Sequence, residues 1–492
     1  MSQPNLIYLF ADQLRYFSCG FAGDPWAQTP NMDRLATQSL NCTNTTACTP
    51  VCAAYRASLF TGKFQSSHGM VINELRLSPD HECFGHVLTR ANYNTAYIGK
   101  WHLWANQLGH HNKIGNAFTP PGPYRLGFDG YWAGYNFSHN SYGAVYFEDT
   151  CDPIPYKGYE ADTQTDLAIN YLQNAHQQEN PFALFLSWGP PHDPWDTSNV
   201  PEGYGEHFQG LDIQPRPNFL SQQDPYADNW ATMNDAYRNN LQNNMRGYYA
   251  QVANIDWNLG RIMDEVEKLG IADNTYFVFT SDHGEMWGSQ GRRAKNIFYD
   301  EACRVPFLIR HPNLPTNSTS DVCLNTTDLM PTLLSLLNLP VPQTAEGTDL
   351  SRVLKGETST PDHTAFMQGM GTTAAWKDGH EWRALRDQQY TYATYLVDGK
   401  ELLFDNLNDP YQMNNLINDP AHSAKCKHYR TQLQNWMKTQ NDTFEPCTWY
   451  EDQWTHDRNI MRGAKGGSHD LNLLQEIIHQ HFPDDAWDRL AK

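Results

Sequence analysis

The side chains best suited to chemistry in this chain lie in a few short clusters. Asp12-Gln13 ends an apolar run, Asn5–Phe10. Cys48-Thr-Pro-Val-Cys52-Ala-Ala-Tyr-Arg56 joins two thiols and a guanidinium and runs on through Ala-Ser-Leu-Phe to Thr61-Gly62-Lys63. Gly99-Lys100-Trp101-His102, Pro190-Pro191-His192-Asp193-Pro194, Ser281-Asp282-His283-Gly284-Glu285 and Lys295 add ammonium groups, imidazoles and carboxylates. Hard divalent cations take oxygen ligands, and the Asp12 carboxylate with the Gln13 amide oxygen supplies two. Each cluster alone has a plainer reading. Asp12 could cap the next helix, Asp-His-Gly could end a strand, and Cys52 could be a buried thiol. Their order along the chain and the elements that carry them decide between the readings.

Those elements are short apolar runs alternating with amphipathic stretches. Asn5–Phe10, Thr95–Ile98, Phe182–Trp188, Tyr276–Thr280 and Val305–Arg310 read as buried strands, and Asn31–Gln38, Asp166–Ala175, Gly247–Leu269 and Thr327–Leu337 as helices. This alternation implies an α/β fold with a large, mixed but mostly parallel sheet covered on both faces. In such sheets, sites form beyond the carboxyl ends of strands. Asp12-Gln13, Gly189-Pro-Pro-His192 and Ser281-Asp282-His283 all follow strands directly. Near residue 375 the pattern changes. Trp382–Leu396 alternates loosely, Val397-Asp398-Gly399-Lys400 reads as a hairpin turn, and Glu401–Asn406 returns. The expected division is a catalytic α/β domain over 1–375 and a C-terminal subdomain over 376–492. The latter should hold a small antiparallel sheet, a helix near Lys425–Lys438 and a tail with a helix near Leu471–His481. The polar stretches from the Gly110s region to Asp162 and over Asn199–Asn239 are long enough to form substrate walls.

Composition narrows the function. Of 492 residues, 40% are hydrophobic and 18% charged, which is globular rather than disordered. Lys plus Arg is 35 against 55 for Asp plus Glu, a net charge of −20. That disfavours nucleic acid and anionic membranes as partners, while leaving room for a local cationic site that takes an anionic substrate. No apolar run is long enough to span a membrane. The N-terminal residues carry no basic leader region, so the chain as written is expected in the cytoplasm, with the periplasm as the alternative. Ten Cys without a Cys-x-x-Cys pair indicate reduced thiols rather than a zinc site or a disulfide scaffold.

The segment from Cys52 to Gly62 resembles the signature of the type I sulfatases of the alkaline-phosphatase superfamily. In that signature a Cys precedes a Pro or Ala by two residues and an Arg by four, and an apolar run ends in Thr-Gly. Alignment on Arg56 selects Cys52 rather than Cys48, because residue 52 would otherwise have to be Arg. The resemblance implies that Cys52 is oxidised to formylglycine by a formylglycine-generating maturation enzyme, and that its hydrate is the nucleophile. Ala54, where many members carry Pro, bears on which maturation enzyme accepts the chain. The resemblance further implies Asp12, Gln13, Asp282 and His283 as ligands, with residue 52, of one divalent cation, Ca²⁺ being the expected ion. Arg56 would orient the diol. Lys100, His192 and Lys295 would bind the sulfate group, and His192 or Lys295 would protonate the leaving alcohol. His102 would take the proton that lets the covalent intermediate collapse.

Blocks at Thr29–Leu35, Thr327–Leu334, Glu346–Leu350 and Leu403–Tyr411 extend the resemblance over most of the chain. The expected reaction is hydrolysis of a sulfate ester. The alternative is a phosphonate monoester or phosphodiester hydrolase of the same superfamily. An aromatic fraction of 13% favours a sulfated saccharide or polysaccharide as substrate, because sugar rings stack on aromatic faces. Arg293 is the expected further substrate contact, with Trp104, His110, His111 and Arg292 as additional candidates.

Overall fold

The computed structural model describes residues 3–104, 117–359, 363–457 and 461–462. Among these, the principal feature is an eight-stranded sheet. Its strands are β1 (Asn5–Ala11), β2 (Leu40–Cys42), β3 (Asn94–Lys100), β4 (Tyr131–Tyr135), β5 (Phe182–Trp188), β6 (Thr275–Ser281), β7 (Phe307–Arg310) and β8 (Ser318–Ser320), in the order β8-β2-β7-β6-β1-β5-β3-β4. The run β6-β1-β5-β3-β4 is parallel throughout, and β7 is antiparallel to both its neighbours. Every residue of β1, β5 and β6 is buried, as continuous apolar runs such as Phe-Ala-Leu-Phe-Leu-Ser-Trp require when both faces are covered.

The covering helices include α1 (Pro30–Gln38), α2 (Cys52–Thr61), α3 (Phe84–Arg90), α4 (Glu160–Ala175), α5 (Leu241–Lys268) and α6 (Thr326–Leu336). Both α4 and α5 begin six residues earlier than their apolar stripes suggest. Their first turns are polar, Glu160-Ala-Asp-Thr and Leu241-Gln-Asn-Asn, so periodicity alone starts each helix too late. The helix α2 closes on Gly62, whose φ of +65° lets its N–H reach the Ser58 carbonyl.

A second sheet of four antiparallel strands follows: β9 (Ala365–Gly369), β10 (Trp382–Arg386), β11 (Tyr390–Tyr395) and β12 (Glu401–Asp405). Its first strand lies ahead of the change of pattern near residue 375. The stretch Trp382–Leu396 is two strands rather than one, split by a turn in which the Asp387 side chain accepts from the N–H groups of Gln389 and Tyr390. The helix α7 (Ser423–Thr439) packs Cys426, Tyr429 and Leu433 against Phe366, Leu385, Tyr392 and Leu403 of this sheet. The expected Leu471–His481 helix lies outside the described residues. No helix among those described is long and apolar enough to cross a membrane.

Candidate active site

Four adjacent parallel strands, β6, β1, β5 and β3, deliver their carboxyl ends to one crevice. Asp12 and Gln13 leave β1, and Asp282 and His283 leave β6. His192 follows β5, while Lys100 ends β3 with His102 just beyond. In this way, segments hundreds of residues apart meet because their strands share one sheet. Gly99 is required for the approach of β3 to β5: its φ is +96°, and a Cβ there would lie 2.0 Å from the Ser187 carbonyl oxygen.

Cys52 is the first residue of α2, whose Ala53 N–H is held by the Asn73 side chain. The Cys52 sulfur lies 3.2 Å from His283 Nε2, 3.2 Å from Lys295 Nζ and 3.7 Å from Asp12 Oδ1. Burial, reinforced by the Asp12 carboxylate, pushes the thiol up to about 11. As a neutral thiol it is a weak nucleophile near neutrality.

One helical turn on, Arg56 is fully buried. Its Nη1 donates to Ser187 Oγ at 2.8 Å and to the Lys100 carbonyl at 2.5 Å. Its Nη2 is 3.3 Å from both Asp12 Oδ2 and Asp282 Oδ2. Lys100 Nζ donates to Asp12 Oδ2 at 2.6 Å. Burial alone would raise the Asp12 carboxyl, but the Lys100 and Lys295 ammonium groups outweigh it and hold it well below the ordinary range. Burial and the Asp12 charge push the Asp282 carboxyl up instead.

Lys295 spends all three donors, on Gln13 Oε1 at 2.8 Å, the Cys52 sulfur, and His192 Nε2 at 2.8 Å. An ammonium can only donate, so His192 Nε2 accepts and its proton sits on Nδ1, which faces the Asp193 carbonyl at 2.9 Å. Cis peptides Pro190–Pro191 and Asp193–Pro194 flank His192. His102 is buried against Phe137, and its Nδ1 has no partner among the described residues. Left-handed backbone at Gln13 (φ +69°), His102 (+55°), Ala294 (+58°) and Asn296 (+65°) brackets these side chains, and such strain collects where geometry is over-determined for function.

Asp12, Asp282, His283 and Cys52 present donor atoms all within 4.8 Å of one another, every one buried. Two buried carboxylates beside a neutral imidazole fit a divalent cation by donor chemistry. His283 Nδ1 faces the Gly284 carbonyl at 3.1 Å, which leaves the Nε2 lone pair aimed at the cluster. Gln13 is at the edge of this group, with its amide oxygen on Lys295 and its amide nitrogen on Glu285 at 2.7 Å.

The Sulfatase family matches residues 4–339, which contain this whole crevice. The chain belongs to the sulfatase family. It is a sulfuric ester hydrolase with the alkaline-phosphatase-like architecture of that family. The C-terminal family of N-sulphoglucosamine sulphohydrolase matches residues 288–439. An ulvan-active sulfatase of Formosa agariphila is 33% identical over 91% of this chain and 84% of its own length. An endo-4-O-sulfatase of Bacteroides thetaiotaomicron is 28% identical over 92% of this chain and 95% of its own. A solved structure in complex with its substrate D-glucosamine-2-N,6-O-disulfate superposes with a TM-score of 0.77 at 25% identity, covering 90% of this chain and 99% of that one.

The candidates proposed as saccharide contacts divide. Arg292 is buried in an ion pair with Asp224 at 2.7 Å, and Trp104 is buried beneath the Arg76 guanidinium, so neither faces the sulfatase crevice as an open contact. Arg293 is half-buried over the Tyr237 ring and donates to the Trp230 carbonyl at 2.8 Å. His110 and His111 lie outside the described residues. Sequence reasoning passed over Ser187, which holds Arg56, and Glu285, which holds Gln13. Within the 110s–Asp162 stretch expected as a substrate wall, it did not single out Phe137 and His139, which pack beside His102 and His192. Ser187 and Glu285 sit inside or beside quoted segments and were within reach. The loop bearing Phe137 and His139 carries no motif, and only its place after β4 brings it here.

Proposed function

We propose that this sulfatase hydrolyses the sulfate ester of an O-sulfated saccharide, with residue 52 acting as formylglycine after conversion by a formylglycine-generating enzyme. The observation that carries the reading is the convergence of Asp12, Asp282, His283 and Lys295 on the one Cys of the family signature. The names of the relatives support the substrate class: one is ulvan-active, and a structural neighbour holds a glucosamine disulfate.

As an aldehyde hydrate, residue 52 would place an oxygen where the sulfur now lies. A divalent cation held by Asp12, Asp282 and His283, Ca²⁺ in our reading, would supply Lewis acidity to that oxygen and to the sulfate. The remaining work falls to the chain itself. Arg56 and Lys100 fix the Asp12 carboxylate and add positive charge at the base of the crevice. Lys295 sits within hydrogen-bond reach of position 52, so it can offset charge developing on the transferring group. Lys295 and His192 share a hydrogen bond, and together they hold a proton beside the group from which the alcohol departs. The unpaired Nδ1 of His102 is available to take a proton.

The test is release of inorganic sulfate from ulvan oligosaccharides, D-glucosamine-2-N,6-O-disulfate and other sulfated sugars, using protein co-expressed with the maturation enzyme. Cys52→Ala is the blank, and a phenylphosphonate monoester runs beside the panel. Sulfate release that vanishes in the blank is expected. Turnover of the phosphonate alone would replace this reading with the phosphonate monoester or phosphodiester hydrolase. Treatment with EDTA should lower either activity or the thermal midpoint.

A further inference from the structure

The crevice is closed at its sulfate end. Asp12, Cys52, Lys100, Asp282, His283 and Lys295 are each 5% exposed or less. Among the described residues, exposure rises along the line from Cys52 through Lys295 to His192. From the Cys52 sulfur, Lys295 Nζ is 3.2 Å away, and His192 Nε2 is 2.8 Å beyond that. The His192 ring is partly exposed, and the exposed imidazole of His139 stacks on it with centroids 4.5 Å apart and planes 21° from parallel. In transfer of a tetrahedral anion, the leaving oxygen departs roughly opposite the attacking one. The alcohol half of the ester must therefore point away from position 52, toward this stacked pair.

His139 is built to meet it. Its loop is pinned on both sides. The Asn136 side chain accepts from Trp104 N–H at 3.0 Å, and the Asn199 side chain accepts from Ser141 N–H at 2.6 Å and donates to the His139 carbonyl at 3.2 Å. Phe137 packs edge-on against the ring at 4.5 Å. The backbone is thus fixed and the ring clamped between two neighbours, yet neither ring nitrogen has a hydrogen-bond partner among the described residues. A preorganised imidazole with a free donor and a free acceptor at the mouth of a site can hydrogen-bond a sugar hydroxyl through either nitrogen.

We propose that His139 is a specificity-determining residue that hydrogen-bonds the saccharide leaving group next to the scissile oxygen. This rests on the sulfatase reading above. It is tested on the matured full-length enzyme with the best sugar of the panel, by comparing wild type with His139→Phe, His139→Ala and His139→Gln. Phe keeps a flat ring on His192 and removes both nitrogens. The Phe and Ala variants should each lose about 10-fold in kcat/KM, chiefly through KM, as expected for a lost neutral hydrogen bond. Gln should recover to within about 3-fold of wild type. The inhibition constant for inorganic sulfate, which fills only the anion end, should stay within about 2-fold throughout. Wild-type kcat/KM in the Phe variant would overturn the inference. So would an equal loss in sulfate inhibition, since His139 would then act through His192 alone. A wild type that releases no sulfate from any sugar would instead overturn the reading on which the inference rests.

Discussion

Two of the places where the molecule buries charge treat it in opposite ways. In the small sheet, Arg383 of β10 forms a two-pronged pair with Asp442, with Nη2 to Oδ1 at 2.7 Å, and also reaches Tyr450 OH and the Gly369 carbonyl. Arg386, leaving the other face of the same strand, grips Asp300 at 2.5 and 3.1 Å and so ties the small sheet to the catalytic body. Neither guanidinium has an unpaired nitrogen among the described residues. In the crevice, Arg56 stands 3.3 Å from each of two carboxylates, and its Nε is unpaired, as is His102 Nδ1. Asp12 Oδ1 has nothing closer than 3.6 Å to answer it among the crevice side chains. Structural charges are satisfied by each other. The crevice charges are held apart with capacity left over, which is the condition for binding a cation and an anion that arrive later.

If that contrast is right, changing one heavy atom in each region should have opposite consequences. Cys52→Ala deletes the side chain proposed to react but leaves the surrounding charges in place. Turnover should fall by about four orders of magnitude or more, while the loss of a small buried side chain costs about 1 kcal/mol. Sulfate release and a thermal melt on the same sample check both halves. Residual turnover near wild type would move the nucleophile elsewhere.

Asp442→Asn is the mirror experiment. It strands the Arg383 guanidinium without its counter-charge in a fully buried setting, for which about 3–5 kcal/mol of destabilisation is expected. The activity of the molecules that remain folded should be unchanged, because nothing in the crevice touches this pair. Denaturant titration gives the first number and kcat per folded molecule the second. A variant as stable as wild type would show that the close geometry of the small sheet carries no stability.

The same pair sets a pH signature. Burial by itself would raise the Asp442 carboxyl, but the Arg383 guanidinium outweighs it and holds it below the ordinary range. A carboxyl with a depressed folded value contributes stability above its unfolded value of about 3.9 and loses it as pH falls through the folded value. The stability gap between wild type and Asp442→Asn should therefore be constant from neutrality to about pH 4 and shrink below it. A gap that is flat down to the acid limit would mean that the pair is not what titrates.

Much of this division can be traced in the sequence, and what cannot has a physical cause. The apolar runs before Asp12, Asp282 and Gly189 are long and unbroken, so strands, sheet and crevice could be placed from pattern alone. The signature around Cys52 and Arg56 located the centre of the crevice. Arg383 and Arg386 gave no such sign. They lie in an alternating strand where an exposed Arg is the ordinary expectation, and their partners Asp300 and Asp442 are remote in sequence. His139 lay inside the stretch expected as a substrate wall, but nothing local singled it out, because its neighbour His192 comes from another strand end. Arg292 failed in the other direction, since closeness in sequence to Lys295 suggested a substrate contact where the fold had already paired it with Asp224.

The finest test uses two thiols four residues apart, because each belongs to a different region. Cys48 and Cys52 are both buried, and burial pushes both up to about 11, so acidity does not distinguish them. Their neighbours do. Cys48 packs with Phe64, Phe366 and Leu385 under the small sheet and donates to Ser58 Oγ at 3.3 Å, and Ser58 in turn meets His68 Nε2 at 3.0 Å. Its neighbours are apolar side chains and this hydroxyl–imidazole chain, with no carboxylate or ammonium among those contacts. Cys48→Ser keeps a donor of similar shape in that chain. It should change stability by about 1 kcal/mol or less and leave sulfate release within about 2-fold of wild type. Loss of turnover from this substitution alone would place the reacting residue in the loop before α2, away from the carboxylates, His283 and Lys295, and the distinction between a satisfied region and a waiting one would fall with it.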